Sequence, residues 1–207
     1  MEYSIEFQKL INDPQKFADI MQYNQSSKLY EDWGLRRKFV AQSIDKNGTI
    51  LDIGCAGGML LRCLQEWSGY KLEPYGIDII PEYIKAAQEL LTDFRDHFAI
   101  LDVRELHKIN KTGLPGKYDF VFWNYLGPKY FKDPNINTTI KNVIDLASHR
   151  AIIGFYTPSD PNQTSEEKQA EENHLRKRVE EFKSIQKVDG ELYNPTKYNA
   201  AIVWIDK

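Results

Sequence analysis

The chain has 207 residues, a formal net charge of −3 at pH 7, and two cysteines. This length suits one domain with a buried core, and the slightly acidic charge disfavours a nucleic-acid partner held through its phosphates. Two thiols cannot staple a domain of this size, and no apolar run approaches the roughly 20 residues of a membrane-spanning helix, so we expect a soluble, cytoplasmic protein.

Residues 1–45 carry apolar side chains at helical spacing, such as Phe7 and Leu10. We predict a helical N-terminal segment that precedes the sheet and closes over a bound ligand as a lid. Three of its aromatic residues are placed to cover the ligand: Tyr23, Tyr30 and Trp33. A chain that begins near Ser43 is therefore expected to fold.

From residue 46 to residue 207, short apolar runs alternate with helical patterns, which indicates a mostly parallel sheet covered on both faces. The predicted strands are 49–53, 73–77, 98–101, 120–124, 151–156, 185–188 and 200–205. The predicted helices are 58–67, 81–91, 135–147 and 165–182. No helical pattern separates the last two strands, so they should pair antiparallel. The fold class is α/β, a three-layer sandwich in one domain with a seven-stranded sheet and a C-terminal antiparallel hairpin.

Residues 49–60 read TILDIGCAGGML, an apolar strand that ends in Asp52 and is followed by a glycine-rich turn and a helix start. Glycine lets the backbone approach a ligand closely, and the first N–H groups of the helix point at the same place. A carboxylate at the strand end attracts a cofactor that carries an amine and a cationic centre, whereas it would repel a phosphate.

Two other glycine-rich motifs fit these residues poorly. A dinucleotide fingerprint that starts at Gly54 needs glycine at the third and sixth positions, where Ala56 and Met59 stand. A triphosphate-binding loop needs Lys and then Ser or Thr where the chain has Met59 and Leu60.

The turn residues Asp52, Gly54, Ala56 and Gly58 resemble the first motif of the class I S-adenosylmethionine (SAM)-dependent methyltransferases, Asp-x-Gly-x-Gly-x-Gly. Ala56 is the one departure from it. The resemblance implies SAM as cofactor, S-adenosylhomocysteine (SAH) as product, and a cofactor contact from the whole turn, Cys55 included.

The next strand ends supply further candidates. Asp78 lies where the family has an acidic residue for the ribose hydroxyls, and Ile79 can lie against the adenine. Asp102 and Val103 resemble the segment that receives the adenine amino group. The alternatives are structural: Asp78 caps the following helix, and Asp102 caps a turn.

The fourth strand ends in Asn124 and Tyr125, which we predict as the active-site pair; Asn124 also contacts the cofactor. Tyr130 and Tyr156 can line an acceptor pocket with them, and Tyr30 is assigned to the cofactor. The Asn/Asp-Pro-Pro-Tyr motif that similar enzymes use on adenine or glutamine nitrogen is absent, because Leu126 and Gly127 follow Tyr125.

We therefore predict a SAM-dependent methyltransferase that acts on an oxygen or nitrogen of a small organic molecule. A protein methyltransferase and a non-catalytic SAM-binding protein are the alternatives. No metal site is predicted, because no His, Cys or carboxylate pair recurs at ligand spacing. The basic run at residues 36–38 either attracts an anionic acceptor or forms a solvated face. The sequence leaves the acceptor and the oligomeric state open.

Overall fold

The computed structural model describes residues 3–21, 29–125, 133–156, 164–194 and 200–207. Its strands are β1 (Gly48–Ile53), β2 (Leu72–Asp78), β3 (Phe98–Ile100), β4 (Tyr118–Asn124), β5 (Ala147–Tyr156), β6 (Gly190–Tyr193) and β7 (Ala200–Asp206). Its α-helices are α1 (Ile5–Ile11), α2 (Pro14–Met21), α3 (Leu29–Arg37), α4 (Met59–Trp67), α5 (Pro81–Leu90), α6 (Ile136–Leu146) and α7 (Ser165–Ile185). Short 3₁₀ segments cover Lys38–Ser43, Thr92–His97 and Val103–Thr112. None of the described helices is long and apolar enough to cross a membrane.

The seven strands form one sheet in the order β3-β2-β1-β4-β5-β7-β6. Strands β1 to β5 are parallel, whereas β7 is antiparallel to both β5 and β6. The predicted α/β class and the antiparallel C-terminal pairing are thus confirmed. The strand order reverses between β1 and β4, and open parallel sheets bind ligands beyond the carboxyl ends of the strands at such a point.

The predicted strand at 185–188 is wrong. Helix α7 extends to Ile185, and the strand that pairs with β7 begins only at Gly190. The helix buries Leu175, Val179 and Phe182, spaced by four and three residues. Its backbone hydrogen bonds continue past Phe182, because the Gln186 N–H donates to the Phe182 carbonyl at 2.9 Å, so the helix ends three residues beyond the predicted end.

Side chains of the central strands alternate between two helical layers. Phe120 and Phe122 pack in the cluster that contains α4, whereas Val121 and Trp123 pack in the cluster that contains α6 and α7. Phe122 and Trp123 therefore lie in different layers.

The described part of the N-terminal segment is helical, as predicted, and it also supplies part of the core. Phe7 is fully buried, and Trp33 is 6% exposed in the same cluster as α4. The backbone N–H of Ser4 donates to the Glu66 carboxylate on α4 at 3.0 Å, and the Ser4 hydroxyl donates to it at 2.5 Å. The expectation that the chain folds without this segment must therefore be revised. Tyr23 and the side chain of Tyr30, on which the lid prediction also rests, lie outside the described part of the structure.

Candidate active site

The glycine turn after β1 uses backbone conformations that side chains disfavour. Gly54 has φ +78°, Ala56 has φ +47° and Gly58 has φ +77°. A non-glycine residue such as Ala56 is uncommon in this left-handed region, and such outliers cluster at functional sites. A Cβ added to Gly54 would meet no atom within 4 Å, so the space beside it is open. A side chain at Gly57 would instead collide with the backbone carbonyl of Ile20, because α2 packs directly on the turn.

The end of β2 holds the turn in place. The backbone N–H groups of Gly54 and Cys55 both donate to the carbonyl of Ile77, at 2.8 and 3.0 Å. Asp78 accepts from the backbone N–H groups of Ala56 and Ile80, each at 3.0 Å, with one bond to each carboxylate oxygen. Each oxygen has a second lone pair, so Asp78 keeps the capacity to accept two hydroxyl groups. Its contact with Ile80 lies before α5, whose first turn shows no side-chain cap.

A cavity of about 140 Å³ opens beside the turn. Residues 54–56 line it together with Asp52, Asn124 at the end of β4 and Tyr156 at the end of β5. Trp33 and Arg37 reach it from α3. The cavity thus lies at the reversal of strand order, where the sequence predicted a ligand.

Asp52 is a buried carboxylic acid in the cavity wall. It is 4% exposed, and burial, with a smaller contribution from the neighbouring charge of Asp78, raises its pKa to about 7. The guanidinium of Arg37 opposes this rise. At neutral pH the carboxyl group is therefore close to half ionised, and a cationic ligand group would favour its ionised form.

Two further polar atoms lie in the cavity wall, at the ends of β4 and β5. The Asn124 Oδ1 atom and the Tyr156 hydroxyl are buried, and neither has a hydrogen-bond partner among the described residues. A buried polar atom without a partner costs about 1–3 kcal/mol, which a bound ligand can recover by supplying the partner. Burial raises the pKa of Tyr156 well above its usual value, so this phenol stays protonated at neutral pH.

The structure separates the predicted active-site pair. Asn124 faces the cavity, but Tyr125 packs its ring against Trp123, Phe155 and Phe182, at centroid distances of 5.3, 6.1 and 6.5 Å. These three residues belong to the cluster with α6 and α7, on the other side of the sheet. A catalytic role for Tyr125 stays a prediction. The tyrosine that reaches the cavity is Tyr156, and Tyr130 lies outside the described residues.

The residues assigned to adenine lie at the ends of β2 and β3. Ile79 is 60% exposed and follows Asp78, which pairs with Ile100 in the sheet, so its apolar side chain is available to a flat ring. Asp102 accepts from the backbone N–H of Arg104 at 2.8 Å and pairs with the guanidinium of the same residue, which lowers the pKa of Asp102. In the structure Asp102 therefore caps the following turn, which was the structural alternative. Val103 begins the 3₁₀ segment beside it, and the adenine role of both residues stays a prediction.

Arg37 is the site residue to which the sequence alone gave no definite role. Its guanidinium carbon lies 4.7 Å from the ring centroid of Trp33 and 5.1 Å from that of Tyr156. A cation over aromatic faces is attracted to their π-electrons, which positions the charge in the cavity. The spacing of Trp33 and Arg37, four residues apart on a helix, is the signal from which this pair could have been found.

Residues 50–149 match the family model described as "Methyltransferase domain". No curated protein matches the sequence. The PH0226 protein from Pyrococcus horikoshii OT3 shares the fold at 17% identity, covering 93% of this chain and 96% of that one, with a TM-score of 0.61. Magnesium protoporphyrin IX methyltransferase from Synechocystis PCC 6803 with bound SAM is 17% identical over 96% of this chain and 94% of that one, with a TM-score of 0.54. The family model covers the glycine turn and the first four strands, and over these residues the chain is similar to methyltransferase domains.

Proposed function

We propose that this protein transfers a methyl group from SAM to an oxygen or nitrogen of a small organic molecule. The observation that carries the proposal is the cavity beside the open glycine turn. It holds a carboxyl group, a guanidinium and two polar atoms that have no hydrogen-bond partner in the described part of the chain. SAM has one ammonium, one carboxylate and one sulfonium group, and the cavity offers partners for charges of both signs.

The residues present fit this cofactor. Asp52 and the Asn124 Oδ1 atom would receive the ammonium group, and Arg37 would receive the carboxylate. The open space at Gly54 would let the cofactor pass close to the backbone of the turn. Asp78 has two free lone pairs for ribose hydroxyls, and the exposed Ile79 offers an apolar surface for adenine.

Methyl transfer needs alignment of the two reactants and exclusion of water more than it needs a base. The bound cofactor supplies an electrophilic methyl group on a sulfonium. Asn124 Oδ1 has a second lone pair besides the one offered to the ammonium group, and this can accept a hydrogen bond from an acceptor hydroxyl or amine and so orient the acceptor. The protonated Tyr156 can donate a hydrogen bond, and the ring of Trp33 helps to keep water from the cavity.

A small-molecule acceptor is supported by two comparisons. Mitomycin 7-O-methyltransferase is 18% identical over 97% of this chain and 60% of that one, with a TM-score of 0.58. Its name, like that of the magnesium protoporphyrin IX enzyme, gives a small organic acceptor. The lining of the cavity is also partly aromatic, through Trp33, Phe122 and Tyr156, and aromatic side chains are common in pockets for organic ligands.

Methyl transfer is tested by incubating the protein with methyl-labelled SAM and a cell extract separated by mass into small molecules and proteins. We expect label in the small-molecule fraction. Label in proteins would support a protein methyltransferase instead. Cofactor binding with no labelled product in either fraction would support a non-catalytic SAM-binding protein.

Replacement of Arg37 should lower the affinity only for ligands that carry the amino-acid head, the part of SAH with the ammonium and carboxylate groups. We expect Arg37→Met to lower the affinity for SAH about 10-fold to 100-fold, as for the loss of a hydrogen bond to a charged group. Affinity for 5′-methylthioadenosine, which lacks the head, should not change. Calorimetry with both ligands makes the comparison, and Lys38→Met, at an exposed position beside it, is the charge control. An equal loss for both ligands would show that Arg37 does not contact the carboxylate.

The raised pKa of Asp52 should make SAH affinity depend on pH. Below pH 3.8, its unfolded pKa, the Asp52 carboxyl group makes its full contribution to the free energy of unfolding. That contribution is lost as the pH rises through about 7, because the ionised carboxylate is costly to bury. A ligand ammonium offsets that cost and binds the ionised form. From pH 6 to 8 the ionised fraction rises about tenfold, so the affinity should rise by the same factor.

Asp52→Asn tests this dependence. We expect the variant to bind SAH about tenfold more weakly than the unchanged chain at pH 8, with no rise from pH 6 to pH 8. The exposed Asp96→Asn should keep the rise. A rise that persists in Asp52→Asn would assign the pH dependence to another group.

A further inference from the structure

Arg178 is a buried cation on a helix whose surface is mostly charged. It is 9% exposed and, among the residues that the structure describes, the one buried lysine or arginine. Burial of a cation is costly unless hydrogen bonds compensate it, so the contacts of this guanidinium show what it stabilises.

Those contacts join the carboxyl ends of two central strands. Nη2 donates to the carbonyl of Tyr125, directly after β4, at 2.5 Å, and Nη1 donates to the carbonyl of Tyr156, the last residue of β5, at 3.4 Å. The ring of Phe155 lies 5.6 Å from the guanidinium carbon. The two strands pair up to Asn124 and Gly154, and the N–H of Tyr125 donates to the Gly154 carbonyl at 2.8 Å.

The same two strand ends carry the unpartnered polar atoms of the cavity. Arg178 bonds the carbonyl of Tyr125, the residue after Asn124, and the carbonyl of Tyr156. It therefore contacts the backbone directly beside both polar side chains. Arg178 lies on the α7 side of the sheet and the cavity lies on the α4 side.

We propose that Arg178 is a positioning residue that fixes Asn124 and Tyr156 for the ligand from behind the sheet. The inference rests on the proposed function for the identity of the ligand. A planar guanidinium presents several N–H donors in a fixed fork and can bond two carbonyls at once. A lysine ammonium keeps the charge but lacks the fork, so Arg178→Lys should keep only part of the effect.

Amide exchange tests whether Arg178 holds the strand ends. In Arg178→Met we expect the Tyr125 amide to exchange at least tenfold faster relative to Val121, in the middle of β4, than it does in the unchanged chain. Lys177→Met removes a charge from the neighbouring residue, whose side chain is 74% exposed, and should leave that ratio unchanged. An unchanged ratio in Arg178→Met would overturn the inference, whether or not SAH binds.

A double-mutant cycle tests whether the effect reaches the ligand through Asn124. We expect Arg178→Met to lower SAH affinity about tenfold in the unchanged chain but less than twofold in an Asn124→Ala background, while the fall in melting temperature is the same in both. Equal losses of affinity in both backgrounds, or no loss, would contradict positioning through Asn124. If Arg178→Met does not fold, Arg178→Lys takes its place in both experiments, with smaller changes in the same direction. No binding of SAH by the unchanged chain would refute the proposed function, and amide exchange would still decide the role of Arg178.

Discussion

A chain shortened to begin at Ser43 is expected to lose its cooperative melting transition. The deletion removes the buried side chains of Phe7, Trp33 and Phe39, which pack in the same cluster as α4. Loss of one buried Phe or Trp side chain costs about 3–5 kcal/mol, so the three together cost about 9–15 kcal/mol. That sum is comparable to the whole free energy of unfolding of a typical domain, about 5–15 kcal/mol.

Calorimetric melting of the shortened chain makes the test, with Phe7→Ala in the full chain as the control. The point variant should melt cooperatively with a free energy of unfolding lowered by about 3–5 kcal/mol. A cooperative transition of the shortened chain at the temperature of the full chain would restore the prediction of a removable lid.

Gly54→Val is expected to abolish SAH binding while the chain stays folded. The φ angle of +78° disfavours a β-branched residue, and the new side chain would project into the open space where the cofactor is proposed to lie. The two methyl groups of the valine would occupy the space in which the ligand is proposed to pass close to the backbone.

Gly113→Val is the matched control, because Gly113 has φ +85° and a Cβ there would also meet no atom within 4 Å. Both variants carry comparable backbone strain, so their melting temperatures should fall together, whereas only Gly54→Val should lose SAH in a calorimetric titration. Equal affinity in the two variants would show that the ligand does not pass beside Gly54.

The order of the strand ends could be predicted from the sequence because it depends on local patterns. The apolar run before Asp52 and the glycines after it determine a strand and a turn within a dozen residues. Asp78 and Asn124 follow the same rule, and each lies at the end of its strand. The end of α7 could not be predicted this way, because Ile185 fits a strand as well as a helix until the packing of Phe182 is known.

The composition of the cavity depends on contacts between distant segments. Alternation along β4 indicates that Asn124 and Tyr125 point to opposite faces, but only the positions of α3 and α4 show which face holds the cavity. Arg37 and Arg178 come from helices that lie far from the strand ends in the chain. Tertiary packing alone brings Arg37 to the ring of Tyr156. It also brings Arg178 to the carbonyls of Tyr125 and Tyr156.

A calorimetric titration of SAH into the full chain at pH 8 tests the central claim most directly. A cofactor site at this glycine turn requires one saturable site per chain. That site should be present in Gly113→Val and lost in Gly54→Val. No saturable binding to the unchanged chain, or binding that persists in Gly54→Val, would contradict it.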